Sequence, residues 1–311
     1  MYEEISRNRR VTWIILTGFV IFILLLGYIL GALTSLGYFG LVIALVIAAF
    51  LSFTSYYYSD QIVLTISGAH PAKKEEYPYL YNTVEGLTIA AGLPKVPSIY
   101  VIDDPAPNAF ATGRDPEHSA IAVTTGLLNM MDRLELEGVI AHEMSHIADY
   151  DVKLSTIVVV LVGAVFILSG LLRQSFFWGG FRRGRDREGL GPILLIIGLV
   201  LAIIAPLAAQ LIRLALSRNR EYLADAQGAM LTRYPPGLAN ALRKIAADEH
   251  TLRTANEATA NLYIINPLRK EHGMAGRFSE LFSTHPPIEE RIKRLDEMSL
   301  GEAPGGEQSS P

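Results

Sequence analysis

The chain has 311 residues, half of them apolar, and only 19% are charged, against about 25% in an ordinary soluble domain. Three ranges, 11–59, 154–172 and 189–212, contain no Asp, Glu, Lys, Arg or His, which excludes a simple soluble globule. The net charge of −4 leaves no basic field for nucleic acid, and the absence of cysteine excludes disulfides, thiol catalysis and cysteine-ligated metal.

The first uncharged range, 11–59, predicts a hairpin of two membrane helices after a short N-terminal segment, residues 1–10. A helix needs about 20 residues to cross the hydrocarbon, so this range is too long for one crossing and suits two. We expect the break between them in the glycine-containing stretch 31–37. A cleaved signal peptide is the rival interpretation, but the apolar stretch is too long and no small-residue cleavage site follows it.

Range 60–153 has an ordinary soluble composition and predicts the first part of a small α+β domain. The pattern predicts a helix over 77–93 and strands over 97–103 and 120–125. No glycine loop that could bind a nucleotide is present, so we expect no nucleotide partner.

Residues 142–146, near the end of this range, read HEMSH. On a helix His142 and His146 lie on one face and can bind one metal ion, while Glu143 can reach a water beside that ion. Asp132 and Glu135 form a capping box that would begin this helix. Two histidines on a solvated helix face are the alternative interpretation.

The second and third uncharged ranges each have the length of one membrane helix. Four crossings would place residues 1–10, 60–153 and 213–300 on one side. The positive-inside rule makes that side cytoplasmic, from the arginines near the ends of the apolar segments: Arg7, Arg9, Arg10, Arg213, Arg218 and Arg220. The loop 173–188 disagrees, because its five arginines would face outward. A re-entrant pair, or a buried helical pair in a soluble core, therefore stays open.

Range 213–300 is predicted to be mostly helical and to form the second part of the domain, with amphipathic helices on both sides of His250. The tail, 301–311, has too few apolar residues to fold.

A catalytic zinc usually has three protein ligands, and spacing leaves Glu221, His250, His272 and His285 as candidates for the third. Glu221 and Asp225 are one helical turn apart, which suits a carboxylate ligand followed by an acid that orients a histidine ligand. Surface acids paired with neighbouring arginines are the alternative for this pair.

Distances along the chain favour Glu221. On a continuous helix His146 would lie about 12 Å from the start of the second uncharged range, and Glu221 about 13 Å from the end of the third. If both membrane helices continue into the soluble layer, the two ligand sets lie at one height just outside the lipid.

Five ordered motifs resemble the HtpX-type membrane zinc metallopeptidases, which are relatives of the CAAX prenyl endopeptidases. They are PNAFATG at 107–113, IAVTTGLL at 121–128, ELEGVIAHEMSHIADYD at 135–151, REYLAD at 220–225 and STHPP at 283–287. The resemblance covers most of the chain. It implies about four transmembrane helices and a mainly helical, zincin-like (gluzincin) catalytic domain that contains a small β-sheet.

The resemblance also implies a site with one Zn²⁺ per chain. It makes His142, His146 and Glu221 the metal ligands, Glu143 the general base and Asp225 the partner of a histidine ligand. It further implies that His285 stabilises the oxyanion and that Asn108 lies in an edge strand that pairs with substrate backbone.

The expected function is a membrane-bound zinc endopeptidase of the cell membrane, with its catalytic domain facing the cytoplasm. Its expected partners are the lipid bilayer and polypeptide substrates, in particular misfolded or unassembled membrane proteins. A metal-binding membrane regulator or scaffold without proteolysis is the alternative. An intramembrane protease is disfavoured because charged residues surround the HEMSH motif, and charges at bilayer depth are costly.

Overall fold

The computed structural model describes residues 2–33, 37–164, 218–253, 259–265, 267 and 286–301. Within these ranges the chain is mainly helical and contains one four-stranded mixed sheet. The predicted loop 173–188, the third uncharged range (189–212) and the tail beyond residue 301 lie outside the described residues.

The two N-terminal helices, α1 (Tyr2–Leu33) and α2 (Phe39–Tyr57), pack against each other as a hairpin. The break between them falls in the predicted stretch. Two segments, Ser6–Ile29 and Phe39–Tyr57, are long and apolar enough to cross a membrane. Most large side chains of α2 are exposed, among them Val46 and Phe50. In a membrane helix this surface faces lipid, which makes an exposed apolar face stable.

Glycines allow the two helices of the hairpin to approach closely. A Cβ atom built on Gly40 would lie 2.6 Å from the Gly27 carbonyl oxygen and 2.8 Å from the Gly31 Cα. Both neighbours are backbone atoms, so the helices must separate to accept any side chain. This interface therefore follows the small-residue rule of membrane helix pairs.

Gly40→Ala is expected to destabilise the hairpin by about 1–3 kcal/mol, because the added methyl group overpacks this interface. Gly18→Ala on α1 is the control, since no atom lies within 4 Å of its Cβ position. The control is expected to be neutral or to stabilise by up to about 1 kcal/mol through helix propensity. Thermal unfolding in detergent measures both. Equal melting temperatures for the two variants would contradict the close approach.

The sheet follows the hairpin and has the strand order β1-β2-β4-β3. Its strands are β1 (Ala69–Pro71), β2 (Ser98–Ile102), β3 (Ala109–Asp115) and β4 (His118–Thr124). The pairs β1–β2 and β3–β4 are antiparallel, and β2–β4 is parallel. Strand β3 is thus an edge strand, and the predicted strands over 97–103 and 120–125 are confirmed as β2 and β4.

Three short helices surround the sheet: α3 (Ser59–Ile66), α4 (Pro78–Ala90) and α5 (Thr125–Met130). Helix α4 confirms the helix predicted over 77–93. Its buried Leu80, Val84 and Leu87 pack in the same apolar cluster as Ile99, Ile121 and Val123 of the sheet. This cluster is the core of the soluble part.

Helix α6 (Arg133–Ala148) carries the HEMSH motif through the middle of the domain. The predicted capping box is present: the Asp132 side chain accepts from the Glu135 N–H, and the Glu135 side chain accepts from the Asp132 N–H. All residues of 138–145 are buried, as in a helix enclosed on every side.

The next helix, α7, is described over residues 151–164, and it is separated from α6 by a turn at Asp149 and Tyr150. Tyr150 has φ = 60°, in the left-handed region that stops a right-handed helix. The predicted continuous helix from His146 to Leu154 is therefore wrong. Leu154, together with the following apolar residues of α7, packs against α1 and α2.

The second part of the domain contains α8 (Arg218–Thr232), α9 (Pro235–Ala247) and α10 (Ile288–Gly301). His250 lies outside this helix, because α9 ends at Ala247. The backbone of Asp248 is extended and its carboxylate accepts from the His250 N–H, a local turn that competes with helix. Helices α8 and α9 both pack on α6.

Candidate metal centre

Two helices bring three metal-ligand atoms together. His142 and His146 lie one turn apart on α6, and their Nε2 atoms are 3.3 Å apart. Glu221 of α8 places its Oε2 3.8 Å from His142 Nε2 and its Oε1 3.7 Å from His146 Nε2. Tetrahedral ligands at about 2.1 Å from one zinc ion are about 3.4 Å apart, so these donors fit such an ion.

Close contact between α6 and α8 makes this arrangement possible. Gly228 of α8 faces the backbone of α6, and a Cβ atom there would lie 3.0 Å from the His142 backbone nitrogen. With no side chain between them, the two helices lie near enough for Glu221 to reach the histidines.

The charges of the centre also fit a divalent cation. Glu143, Glu221, Asp225 and Asp151 supply four buried carboxylates, whereas Arg291 and Arg220 supply two guanidinium groups. Unbalanced charge is costly away from water. A divalent cation between the three donor atoms would offset this excess of buried carboxylates.

Glu143 lines the same cavity as the three donors and lies under edge strand β3. The carboxylate accepts a hydrogen bond from the Ala111 N–H, which lowers its pKa. Burial is the larger effect and, together with the charge of Glu221, raises the pKa of Glu143 to about 7. A carboxylate with a pKa near neutrality can both accept and return a proton.

An acid lies behind each histidine. Asp225 Oδ1 is 3.0 Å from His142 Nδ1, and Asp151 Oδ2 is 3.4 Å from His146 Nδ1. Burial lowers the pKa of His142 despite Asp225. Burial also disfavours charge on His146, but Asp151 and Glu221 outweigh it and raise the pKa of His146 to about 9.

Arg291 of α10 is 1% exposed and holds Asp225. Its Nε donates to Asp225 Oδ2 at 2.8 Å and its Nη2 donates to Asp225 Oδ1 at 2.7 Å. The remaining Nη1 donates to the Ile264 carbonyl at 2.8 Å. One guanidinium group thus connects the acid behind His142 to the segment 259–265.

The cavity at the centre has a volume of about 30 Å³, which accommodates a water molecule but no peptide. Its walls include Val152 and Ser155 of α7 and residues 261–264. The Ile264 N–H donates to the Ala109 carbonyl on the free edge of β3 at 3.0 Å. In this structure, the chain's own segment therefore occupies part of that edge.

Residues 74–299 match the model of a protein family described as Peptidase family M48. The chain belongs to this family. It is 52% identical to the Protease HtpX homolog of Dictyoglomus thermophilum, over 94% of this chain and 93% of that protein. It is 46% identical to the Protease HtpX homolog of Caldanaerobacter subterraneus, over 96% of this chain and 98% of that protein.

The solved structure of Ste24p from S. mikatae is also similar, with a TM-score of 0.47 and 21% identity, over 94% of this chain and 66% of that one. The M48 family, the Protease HtpX relatives and the two apolar helices together identify a membrane metalloprotease. The predicted enzyme class is thereby confirmed.

Among the predicted site residues, the structure of this M48 peptidase brings together His142, Glu143, His146, Glu221 and Asp225. Asn108 lies just before β3 and does not line the cavity; its side-chain amide donates to the Ile265 carbonyl at 2.9 Å. His250 is exposed and pairs with Asp248, outside the metal-ligand cluster. His272 and His285 lie outside the described residues.

Two residues around this centre were not predicted. Arg291 lies three residues after Ile288 and four residues before Leu295. This is helical spacing, and all three are buried on one face of α10. An arginine within an apolar stripe is the signal that could have identified it. Asp151 is the second such residue, because the turn that directs it toward His146 leaves no mark in the sequence.

Proposed function

We propose that this metalloprotease holds one zinc ion per chain through His142, His146 and Glu221 and cuts internal peptide bonds of misfolded or unassembled membrane proteins. Such an activity belongs to protein quality control and the stress response. The observation that carries the proposal is the cluster of three donor atoms within 4.8 Å of one another, with Glu143 in the same cavity.

The proposed chemistry assigns a proton-transfer role to Glu143. A zinc ion held by the three ligands would lower the pKa of its bound water and polarise the scissile carbonyl. Glu143 takes a proton from the attacking water and returns it to the leaving amine. The Ala111 N–H keeps the carboxylate directed into the cavity. We assign His285 to the oxyanion, and Asp225 to the orientation of His142.

The proposed substrate is an extended chain that adds to the edge strand β3, which Asn108 precedes. Pairing through main-chain hydrogen bonds gives affinity with little selection among side chains. The substrate strand replaces the contact between Ile264 and Ala109. This mode suits unfolded segments, which have free backbone groups, and disfavours folded proteins, whose backbone groups are already paired.

Metal removal tests the activity. Dialysis of the detergent-solubilised protein against a chelator is expected to abolish cleavage of an unfolded membrane-protein substrate, and added Zn²⁺ is expected to restore it. The same substrate in its folded state is the control and is expected to be spared. A chain that binds zinc but cuts neither form would instead be a metal-binding regulator or scaffold, the alternative function.

We further propose a multi-pass topology of four crossings in the cell membrane, with residues 1–10, 60–153 and 213–300 in the cytoplasm. Because the chain has no cysteine, single cysteines at Gly180 and Gly305 can be labelled without background. Labelling from opposite sides of the membrane is expected. Labelling of both from the cytoplasmic side would contradict four crossings and indicate a re-entrant pair.

A further inference from the structure

The carboxylate of Asp151 connects the metal centre to the first apolar helix. It is 6% exposed, and its Oδ2 lies against His146 Nδ1. The other oxygen, Oδ1, accepts from Arg220 Nη1 at 3.0 Å and from Asn8 Nδ2 at 2.6 Å. Burial raises the pKa of Asp151, but His146 and Arg220 outweigh it, so the group is ionised.

The turn between α6 and α7 is what directs this carboxylate. On an unbroken helix, residue 151 would lie roughly 140° around the axis from His146 and would face away from its ring. The left-handed Tyr150 interrupts the helix, and the Asp151 carboxylate lies beside the His146 ring. A non-glycine residue with left-handed backbone angles is strained by about 1–2 kcal/mol, and such strain is concentrated at functional sites.

Asn8 stands at the cytoplasmic end of the proposed first crossing. It is 3% exposed, and its side-chain amide also lies 3.4 Å from the Asp149 carbonyl. The amide thus contacts both ends of the turn around Tyr150. A buried polar side chain is stable only with such partners, and here the partners flank the turn that follows His146.

We propose that Asp151 is a positioning residue for His146 and that Asn8 holds Asp151 in place, so that α1 is a structural part of the metal centre. This inference rests on the proposed function, in which His146 is a metal ligand. A carboxylate at Nδ1 fixes the tautomer whose Nε2 lone pair points at the metal and increases its basicity. Loss of α1 from the bundle would then weaken metal binding at a distance.

Zinc affinity of the full-length protein in detergent, measured by competition with a chromophoric chelator, tests the inference. Asp151→Asn is expected to weaken zinc binding by about 10–100-fold. Asn8→Ala is expected to weaken it by a smaller factor. Thr17→Ala, an exposed polar position on the same helix, is the matched control and is expected to change nothing.

A double-mutant cycle separates positioning from general destabilisation. If Asn8 acts through Asp151, the variant with both substitutions binds zinc as weakly as Asp151→Asn alone. If the double variant loses the product of the two single fold-changes in zinc affinity, Asn8 does not act through Asp151. If both single variants bind zinc as tightly as a wild-type protein that is active, the whole inference is wrong. A wild-type protein that binds no zinc would overturn the proposed function as well.

Discussion

Glu143→Gln is expected to lower kcat/KM by about a thousandfold or more and to leave the zinc content at one ion per chain. The amide has nearly the same shape as the carboxylate, so the buried site keeps its packing. It cannot take a proton from water, however, and a positioned acid–base group contributes about 10²–10⁴ to such a rate. Single-turnover cleavage of an unfolded membrane-protein substrate, with zinc measured in the same sample, checks both expectations.

Glu137→Gln is the matched control on the same helix. Glu137 pairs with Arg133, whose side chain is 76% exposed, and exposed pairs of this spacing contribute about 0.3–0.5 kcal/mol. The activity of the Glu137→Gln variant is therefore expected to stay within about twofold of that of the wild-type protein. Cleavage at the wild-type rate by Glu143→Gln would remove the assignment of Glu143 as the general base.

Arg291→Met is expected to lower the free energy of unfolding by about 3–5 kcal/mol and to weaken zinc binding. The substitution keeps an apolar stem but leaves the buried Asp225 without its bidentate partner, and breaking a buried ion pair from one side is strongly destabilising. Asp225 then aligns His142 less well. Arg291→Lys keeps the charge and is expected to restore only part of the loss, because an ammonium group cannot bind a carboxylate in the bidentate manner.

Arg294→Met, at an exposed position three residues further along α10, is the control for Arg291. Arg294 pairs with Glu290 and lies over the ring of Tyr222, and its side chain is 46% exposed. The decrease in the free energy of unfolding caused by Arg294→Met is expected to be about 1 kcal/mol or less. Chemical denaturation and chelator competition measure stability and metal affinity for each variant. Equal effects of the Arg291 and Arg294 substitutions would contradict the structural role of the buried pair.

Features that depend on local chemistry could be predicted from the sequence. The capping box at Asp132, the spacing of His142 and His146, and the alternation that produces β2 and β4 each depend on residues close together in the chain. The sequence also predicted that Glu221 lies near these histidines, although the continuous helix assumed from His146 to Leu154 is interrupted at Asp149 and Tyr150. Glu221 lies beside the histidines because α6 and α8 pack directly on each other.

Features that depend on the backbone between elements could not be predicted in this way. Tyr150 is in a conformation that glycine or asparagine usually adopts, so no turn signal marks the end of α6. The end of α9 at Ala247 depends on a side-chain contact of Asp248 with the next turn. The pairing of Arg291 with Asp225 joins elements more than 60 residues apart, and only the folded structure brings them together.

In the proposed binding mode, the tight cavity at the centre affects substrate affinity. The substrate strand replaces the contact between Ile264 and Ala109, so only molecules in which this contact is open are competent to bind substrate. The apparent affinity for any substrate is reduced by that fraction, however well the substrate pairs with β3. A folded substrate must also expose its own backbone, and the free energy of this unfolding adds to the free energy of opening the site. In this proposed mode, the contact between Ile264 and Ala109 favours substrates that are already extended, without any contact to their side chains.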